Sequence, residues 1–329
     1  MLGLPCRAGR GESAVGVSSG FDAEVFGSVM SRVMGEVSKV IVGQERAIRL
    51  TLASILTGGH VLLEGVPGVA KTTLAKALAT ALGLEFRRIQ FVPDLLPSDV
   101  TGTYVLRDGS FEFYRGPVFT EILLADEINR APPKTQAALL QAMQEREVTV
   151  LGVTHKLPEL FTVIATMNPV EYEGVYPLSE AQVDRFLAKI RLDYPSVEET
   201  VEIIDRSWLA EEMPLSPVAS REDVAAARRA VRGVTLDPNI KLYIALIVQE
   251  TRRHPLVRLG ASPRGAIALA RLARALALIE GRSYVIPDDV KEAAHAALDH
   301  RIILKPEARI SGVEPEKVVD EALERVEPP

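Results

Sequence analysis

Cysteine is nearly absent from this 329-residue chain. Cys6 stands alone, which excludes an internal disulfide framework and a cysteine-rich metal site. No apolar run approaches the roughly 18 residues that a membrane-spanning helix needs. The most hydrophobic helical stretch, residues 266–279, is interrupted by Arg271 and Arg274. An apolar signal-peptide core is missing as well, because Gly9, Gly11 and Gly16 break up the first twenty residues. Excess positive charge is lacking: the formal net charge is −6, so no global field draws the chain to nucleic acid, and only a local basic groove stays open. Together these absences imply a cytoplasmic protein. What is present, 47% hydrophobic and 25% charged residues, is ordinary globular composition with length for two domains.

The stretch from His60 to Thr73 organises the rest. An apolar run, Val61 to Leu63, reads as a buried strand, breaks into a turn at Gly65-Val66-Pro67-Gly68 and passes through Val69-Ala70 into a helix opening on Lys71-Thr72-Thr73. Strand, Gly/Pro turn and helix in that order make a phosphate-binding loop. Backbone N–H groups and the positive end of the helix face an anion there. Lys71 is suited to the β- and γ-phosphates and the Thr72 hydroxyl to Mg²⁺. Ala70 stands where the general pattern has glycine, and alanine is expected to serve only with a negative φ.

Before the loop, Val25, Val29, Val33 and Val37 recur every four residues and predict one buried helix face; Glu45 to Thr57 predicts a second helix. After it, strands are expected at 86–91, 121–125, 160–166 and 187–192, alternating with helices at 71–82, 133–145 and 179–186. That alternation indicates a parallel sheet covered on both faces. Hairpins are expected around Arg107–Ser110 and around Gly152. Beyond Tyr194-Pro195 the pattern is helical throughout, at 197–209, 221–231, 238–254, 263–280 and 288–297. Residues 1–20 lack periodicity and are expected to be disordered.

Ile122 to Ala125 delivers two carboxylates, Asp126 and Glu127, to a strand's C-terminal end, where ligands of open α/β sheets sit. Asp126 suits Mg²⁺, through water, and Glu127 an attacking water, a division that fits phosphoryl transfer. Asn168, ending the next strand, reads equally as a phosphate contact or as Asn-Pro turn chemistry. Arg185 and Arg264, each read alone, are surface or ion-paired arginines; in context a guanidinium can stabilise charge on a transferred phosphoryl group. His295 and Asp299, four apart on a helix, read as a solvated pair before a metal site, since no third ligand is evident. Trp208 reads as core packing.

Taken together, Val42-Gly43-Gln44, Gly65 to Thr72, Leu124 to Gln136, Ala165 to Pro169, Glu180 to Phe186 and Gly260 to Arg264 resemble the MoxR-type AAA+ ATPases of the helix-2-insert branch, over about residues 22–310. In that family alanine is usual at the position of Ala70. The resemblance implies an AAA+ P-loop parallel sheet sandwiched by helices, residues 21–195, followed by a small all-α lid, residues 196–329. It assigns Lys71 and Thr72 to Walker A, Asp126 and Glu127 to Walker B, Asn168 to sensor 1, Arg185 to the arginine finger of a neighbouring site and Arg264 to sensor 2. Val42 and Gly43 fall where the family contacts adenine; Arg130 matches a family position without a firm role. The implied cofactors are ATP and Mg²⁺. The implied partners are further copies of the chain in a hexameric ring and a client protein with a von Willebrand factor A domain. A metal-chelatase ATPase subunit is the nearest rival. A nucleic-acid motor would need basic hairpins, yet Arg107 is offset by Asp108 and only His155 and Lys156 flank Gly152. A nucleotide-gated scaffold without turnover is opposed by the intact Glu127.

Overall fold

The structure, a computed structural model, describes residues 22–169, 174–207 and 215–329. The expected disordered tail and Trp208 lie outside these residues.

Two helices, α1 (Ala23–Val37) and α2 (Glu45–Thr57), lead into β1 (Val61–Gly65) and α3 (Lys71–Ala81). There follow β2 (Phe86–Gln90), one helical turn α4 (Pro97–Thr101), the hairpin β3 (Gly102–Arg107) and β4 (Ser110–Arg115), then β5 (Ile122–Asp126) and α5 (Pro133–Glu145). A second hairpin, β6 (Glu147–Val150) and β7 (Val153–Lys156), precedes β8 (Thr162–Met167), α6 (Glu180–Val183) and β9 (Ala188–Leu192). The five sheet strands run parallel in the order β2-β5-β8-β1-β9.

Period-two alternation sorts the central strands between two cores. Val61 and Leu63, Ile122 and Leu124, and Ile164 face one cluster, and Leu62, Leu123, Ala125, Val163 and Ala165 face the other. Because both faces are covered, β5 is buried along its whole length and reads as an unbroken apolar run. Phe91, Phe119, Phe161 and Phe186 fill the second cluster beneath α5.

The remaining chain is mostly helical: α7 (Val197–Ser207), α8 (Arg221–Gly233), α9 (Pro238–Arg253), α10 (Pro263–Ile279), α11 (Pro287–Leu298), α12 (Pro306–Ile310) and α13 (Pro315–Arg325). Proline opens α9, α10 and α11, where its missing N–H costs no helical bond. Helix throughout is corrected, however. A short antiparallel pair, β10 (Val257–Leu259) and β11 (Ile303–Leu304), lies inside this region, and α12 and α13 extend it. Strands of three and two residues are too short to show a period.

The face expected of α1 is also corrected. Val25 is exposed, and the buried positions are Ala23, Gly27, Met30, Val33, Glu36 and Val37. A four-residue step overshoots the 3.6-residue turn by about 40°, so a strict four-residue row drifts off the core. Gly27 crosses Gly281 so closely that a Cβ would stand 2.6 Å from the Gly281 Cα. Met30 of α1, and Ile48 and Leu52 of α2, share one cluster with Leu269, Leu272 and Leu276 of α10. The first two helices therefore anchor the helical region to the sheet.

Candidate active site

The C-terminal ends of four neighbouring strands build the site. β1 closes at Gly65, where a side chain would lie 2.8 Å from the Leu192 carbonyl oxygen of β9. The following turn takes left-handed backbone at Gly68 (φ +88) and again at Ala70 (φ +61). The expectation that Ala70 keeps a negative φ is therefore overturned. The chain must swing directly from the turn into α3, and alanine meets that demand at roughly 1–2 kcal/mol. Lys71 opens α3 and folds its ammonium back onto the loop, donating to the carbonyl oxygens of Gly65 and, at 3.0 Å, of Val66. Val69 is buried against the core, while Pro67, Gly68 and Thr73 are exposed.

The Asp126 carboxylate is buried at the end of β5 and is fully engaged. Its Oδ1 accepts from the Thr166 hydroxyl at 2.6 Å, and its Oδ2 accepts from Arg88 at 2.8 and 3.1 Å and from Thr72 at 3.4 Å. Glu127 follows in left-handed backbone (φ +55), and its N–H donates to the same Thr166 hydroxyl at 2.8 Å. Gln90 (2.6 Å) and Arg130 (3.1 Å) donate to Glu127 Oε2. Register fixes the rest: Gln90 pairs with Asp126 across β2 and β5, and Glu64 with Met167 across β1 and β8, so Asn168 lies level with Gly65. Asn168 is buried there. Thr166, Arg88 and Gln90 were not legible as site residues, because a threonine in a strand and alternating polar residues on an edge strand are common. Nothing in the sequence sets Thr166 apart from Thr162, a second buried threonine of β8.

Thr72 Oγ1 and Asp126 Oδ2 offer two hard oxygens at one point, already occupied by a cationic guanidinium. Among the described residues no cluster of three or more His, Cys, Asp or Glu side chains stands ready for a metal. An ion taking most of its oxygens from phosphate and water, as Mg²⁺ does, fits this donor set.

Val42 and Gly43 lie between α1 and α2, with Gly43 at φ +71. The Gln44 side-chain amide donates to the Asp193 carbonyl oxygen at 3.1 Å, and the Glu199 carboxylate lies where a Gly43 Cβ would project. Two adjoining cavities share Glu64, Arg191, Asp193 and Tyr194. One, about 590 Å³, borders Gly43 and Gln44; the other, about 670 Å³, reaches Gly65 and Val66. His295 faces carboxylates on both ring nitrogens, Asp299 at 3.2 Å and Asp320 at 3.1 Å, and its hydrogen bond to Asp299 raises its pKa.

Arg185 and Arg264 do not join Lys71. Ala188, the first residue of β9, pairs with Val61, the first of β1, so Arg185 lies at the N-terminal end of the sheet. About 13 Å of strand separates that end from the loop. Arg264 lies beside Arg185, ion-paired with Asp184 at 2.9 Å. Both line a groove of about 720 Å³ with Arg146, Arg228, Arg271 and Arg301 among the other walls. The crowding registers electrostatically. Burial and then the neighbouring Arg146 pull Arg228 down to about 10, and burial followed by Arg271 and Arg232 lowers Arg146.

The chain matches the family described as "ATPase family associated with various cellular activities (AAA)" over residues 60–188 and the "AAA lid domain" over residues 249–322. It is 49% identical to the uncharacterised protein YeaC of Bacillus subtilis, covering 92% of this chain and 95% of that one. It is 44% identical to the chaperone MoxR1 of Mycobacterium tuberculosis, covering 96% and 86%. A crystal structure of a candidate ATPase from Cytophaga hutchinsonii superposes with a TM-score of 0.86 at 42% identity, covering 94% of this chain and 97% of that one. With the loop, the paired carboxylates and the helical lid in the family's order, this nucleotide-binding chain belongs to the MoxR family of AAA ATPases.

Proposed function

We propose that this ATPase is a cytoplasmic chaperone that hydrolyses Mg²⁺-ATP in a hexameric ring of identical subunits and remodels a client protein carrying a von Willebrand factor A domain. Its working units are a nucleotide-binding core, residues 21–195, and a lid, residues 196–329. The observation that carries the ring is the distance between Lys71 and the Arg185–Arg264 pair, which lie at opposite ends of the same strands. Those two guanidinium groups are presented to a neighbouring copy, and a head-to-tail interface of this kind closes into a ring when its rotation allows.

Within one subunit, the loop N–H groups from Gly65 to Thr73 and the Lys71 ammonium hold the β- and γ-phosphates. Thr72 and Asp126 hold Mg²⁺, which neutralises charge on the phosphate oxygens when bound. Glu127 orients the attacking water, and Asn168 fixes the γ-phosphate or that water from the adjacent strand. Val42 and Gly43 border the adenine. Arg185, with Arg264 beside it, meets the charge that develops on the neighbour's transferred phosphoryl group.

Client contact falls to the two hairpins. Leu106, Phe111 and Leu151 are 63%, 71% and 81% exposed, too apolar for solvent alone. His155, weighed in the sequence as a cation for nucleic acid, is instead stacked on Phe113 at 3.9 Å and near the Tyr104 hydroxyl at 3.3 Å. That stack joins β7 to β3–β4, so the hairpins move as one body.

The test is steady-state ATP hydrolysis by the wild type, Glu127→Gln and Arg185→Ala, with the two variants also mixed. Both variants should be inactive alone and the mixture active, since one intact carboxylate then meets one intact finger. Normal turnover by Arg185→Ala would refute the shared site.

A further inference from the structure

Arg301 belongs to the lid, on the 3-10 turn at residues 299–301 between α11 and β11, yet its side chain is spent on the chain around Arg185. A guanidinium has five N–H donors, and here all five are used. Nε donates to Asp184 Oδ1 at 2.8 Å. One terminal nitrogen donates to the Asp184 carbonyl at 3.3 Å and to the Phe186 carbonyl at 2.7 Å. The other donates to the Leu187 carbonyl at 3.3 Å and to the Ala297 carbonyl of α11. Four of the five acceptors thus belong to residues 184–187 and bracket Arg185 on both sides. Asp184 is shared with a second lid arginine, Arg264, at 2.9 Å. The two differ in setting: Arg264 is 58% exposed and can exchange its partner, whereas Arg301 is 3% exposed and cannot. The Arg185 side chain makes no hydrogen bond or ion pair with the described residues, so the fold holds this residue through its backbone.

We propose that Arg301 is the positioning residue for Arg185, through which the lid of one subunit sets the pose of the guanidinium offered to the next subunit's nucleotide. This rests on the shared-site reading above. A rigid planar fork satisfied on both flanks of one residue fixes that residue's backbone, and a displacement of about 1 Å at a transition-state contact costs about 10²-fold in rate. A shift of the lid therefore reaches the neighbouring site through residues 184–187, without passing through the lid's own nucleotide.

The test uses the full chain with Arg301→Gln, Arg301→Lys and Asp184→Asn, each assayed for assembly, ATP affinity and hydrolysis, alone and mixed with Glu127→Gln. Arg301→Gln should lose about 10²-fold in kcat and keep its ATP affinity, because its own phosphate loop is untouched. A lysine, one point charge in place of a fork, should restore only part of the rate. Mixing Arg301→Gln with Glu127→Gln should recover hydrolysis as Arg185→Ala with Glu127→Gln does, and mixing Arg301→Gln with Arg185→Ala should not. If Arg185→Ala is complemented and Arg301→Gln is not, Arg301 serves its own subunit and the proposal fails while the shared site stands. If neither is complemented, the shared site fails and the proposal with it. Should Arg301→Gln fail to fold, the lysine and Asp184→Asn variants carry the same comparison.

Discussion

Thr166 joins the two carboxylates of the site through a single hydroxyl, and its loss should be felt in both stability and turnover. The side chain is fully buried, and Thr166→Val exchanges a hydroxyl for a slightly larger methyl, so it opens no cavity. It removes a charge-assisted hydrogen bond to Asp126 Oδ1, 2.6 Å long, worth about 1.5–3 kcal/mol. It also strands the Glu127 N–H, now 2.8 Å from the hydroxyl, at about 1–3 kcal/mol for an unpaired buried donor. Asp126 keeps Arg88 and Thr72, so the two losses do not add in full, and about 3 kcal/mol is expected. The same hydroxyl holds Glu127 in left-handed backbone, which a non-glycine residue keeps only when its surroundings enforce it. With that restraint gone, kcat should fall by about 10²-fold, the kinetic equivalent of about 3 kcal/mol. Thr166→Ser keeps the hydroxyl and should lose about 1 kcal/mol for one buried methyl while holding near wild-type turnover. Urea unfolding and steady-state hydrolysis of both variants decide the matter. A valine variant within about 0.5 kcal/mol of wild type, the range of an ordinary surface change, and with unchanged kcat would refute the reasoning.

Acid should destabilise the fold through His60. Its Nδ1 accepts the Val163 N–H at 2.9 Å and its Nε2 donates to the Met143 carbonyl at 3.1 Å, so the buried ring is neutral, and burial pulls its pKa from 6.5 down to about 3. Between those values the unfolded state binds a proton that the folded state does not. Stability then falls by about 1.4 kcal/mol per pH unit as the pH drops below about 6.5. The stability difference between wild type and His60→Gln, from urea titrations at pH 6.5 and 5, should move by about 2 kcal/mol; parallel curves would contradict it. Arg88 occupies Asp126 Oδ2 from a half-exposed position, where such a pair is worth about 0.5–1 kcal/mol. Arg88→Ala should therefore lower the Mg²⁺ concentration for half-maximal hydrolysis about two- to fivefold, whereas a rise would mean that Arg88 contacts phosphate.

The loop, its helix and the paired carboxylates were legible because each depends on a local pattern: an apolar run, a Gly/Pro break, then residues of fixed chemistry. The same locality explains what stayed hidden. Ala70 adopts a left-handed φ that only the path between Gly68 and Lys71 demands. Val25 belonged to a regular row, but the helix turns faster than that row, and Met30 took the buried place. Thr166 is one threonine in a strand until β5 is laid beside β8 and its hydroxyl falls between Asp126 and the Glu127 N–H. β10 and β11 are separated by more than forty residues that include α10 and α11, and they are too short to signal alone.

The arginine groove shows the limit of charge counting. A chain of net charge −6 gathers Arg146 from the end of α5, Arg228 from α8, Arg264 and Arg271 from α10, and Arg185 and Arg301 from two loops. Apart from Arg228-Arg229, with Arg232 one turn on, these positions are scattered through the sequence, and no long basic run announces the groove. Folding concentrates the guanidinium groups at the N-terminal end of the strands and leaves the phosphate loop and its carboxylates at the other. Burial first, and then the neighbouring guanidinium groups, lower the pKa of Arg228 and Arg146, so the groove holds its charge at a cost in the isolated subunit. A polyphosphate and the carboxylates of an adjoining copy are the anions of matching charge, and docking them would relieve that cost. On the shared-site reading proposed above, the charge asymmetry between the two ends of one sheet would favour head-to-tail association and withhold the arginines from a subunit's own nucleotide, which would tie turnover to assembly.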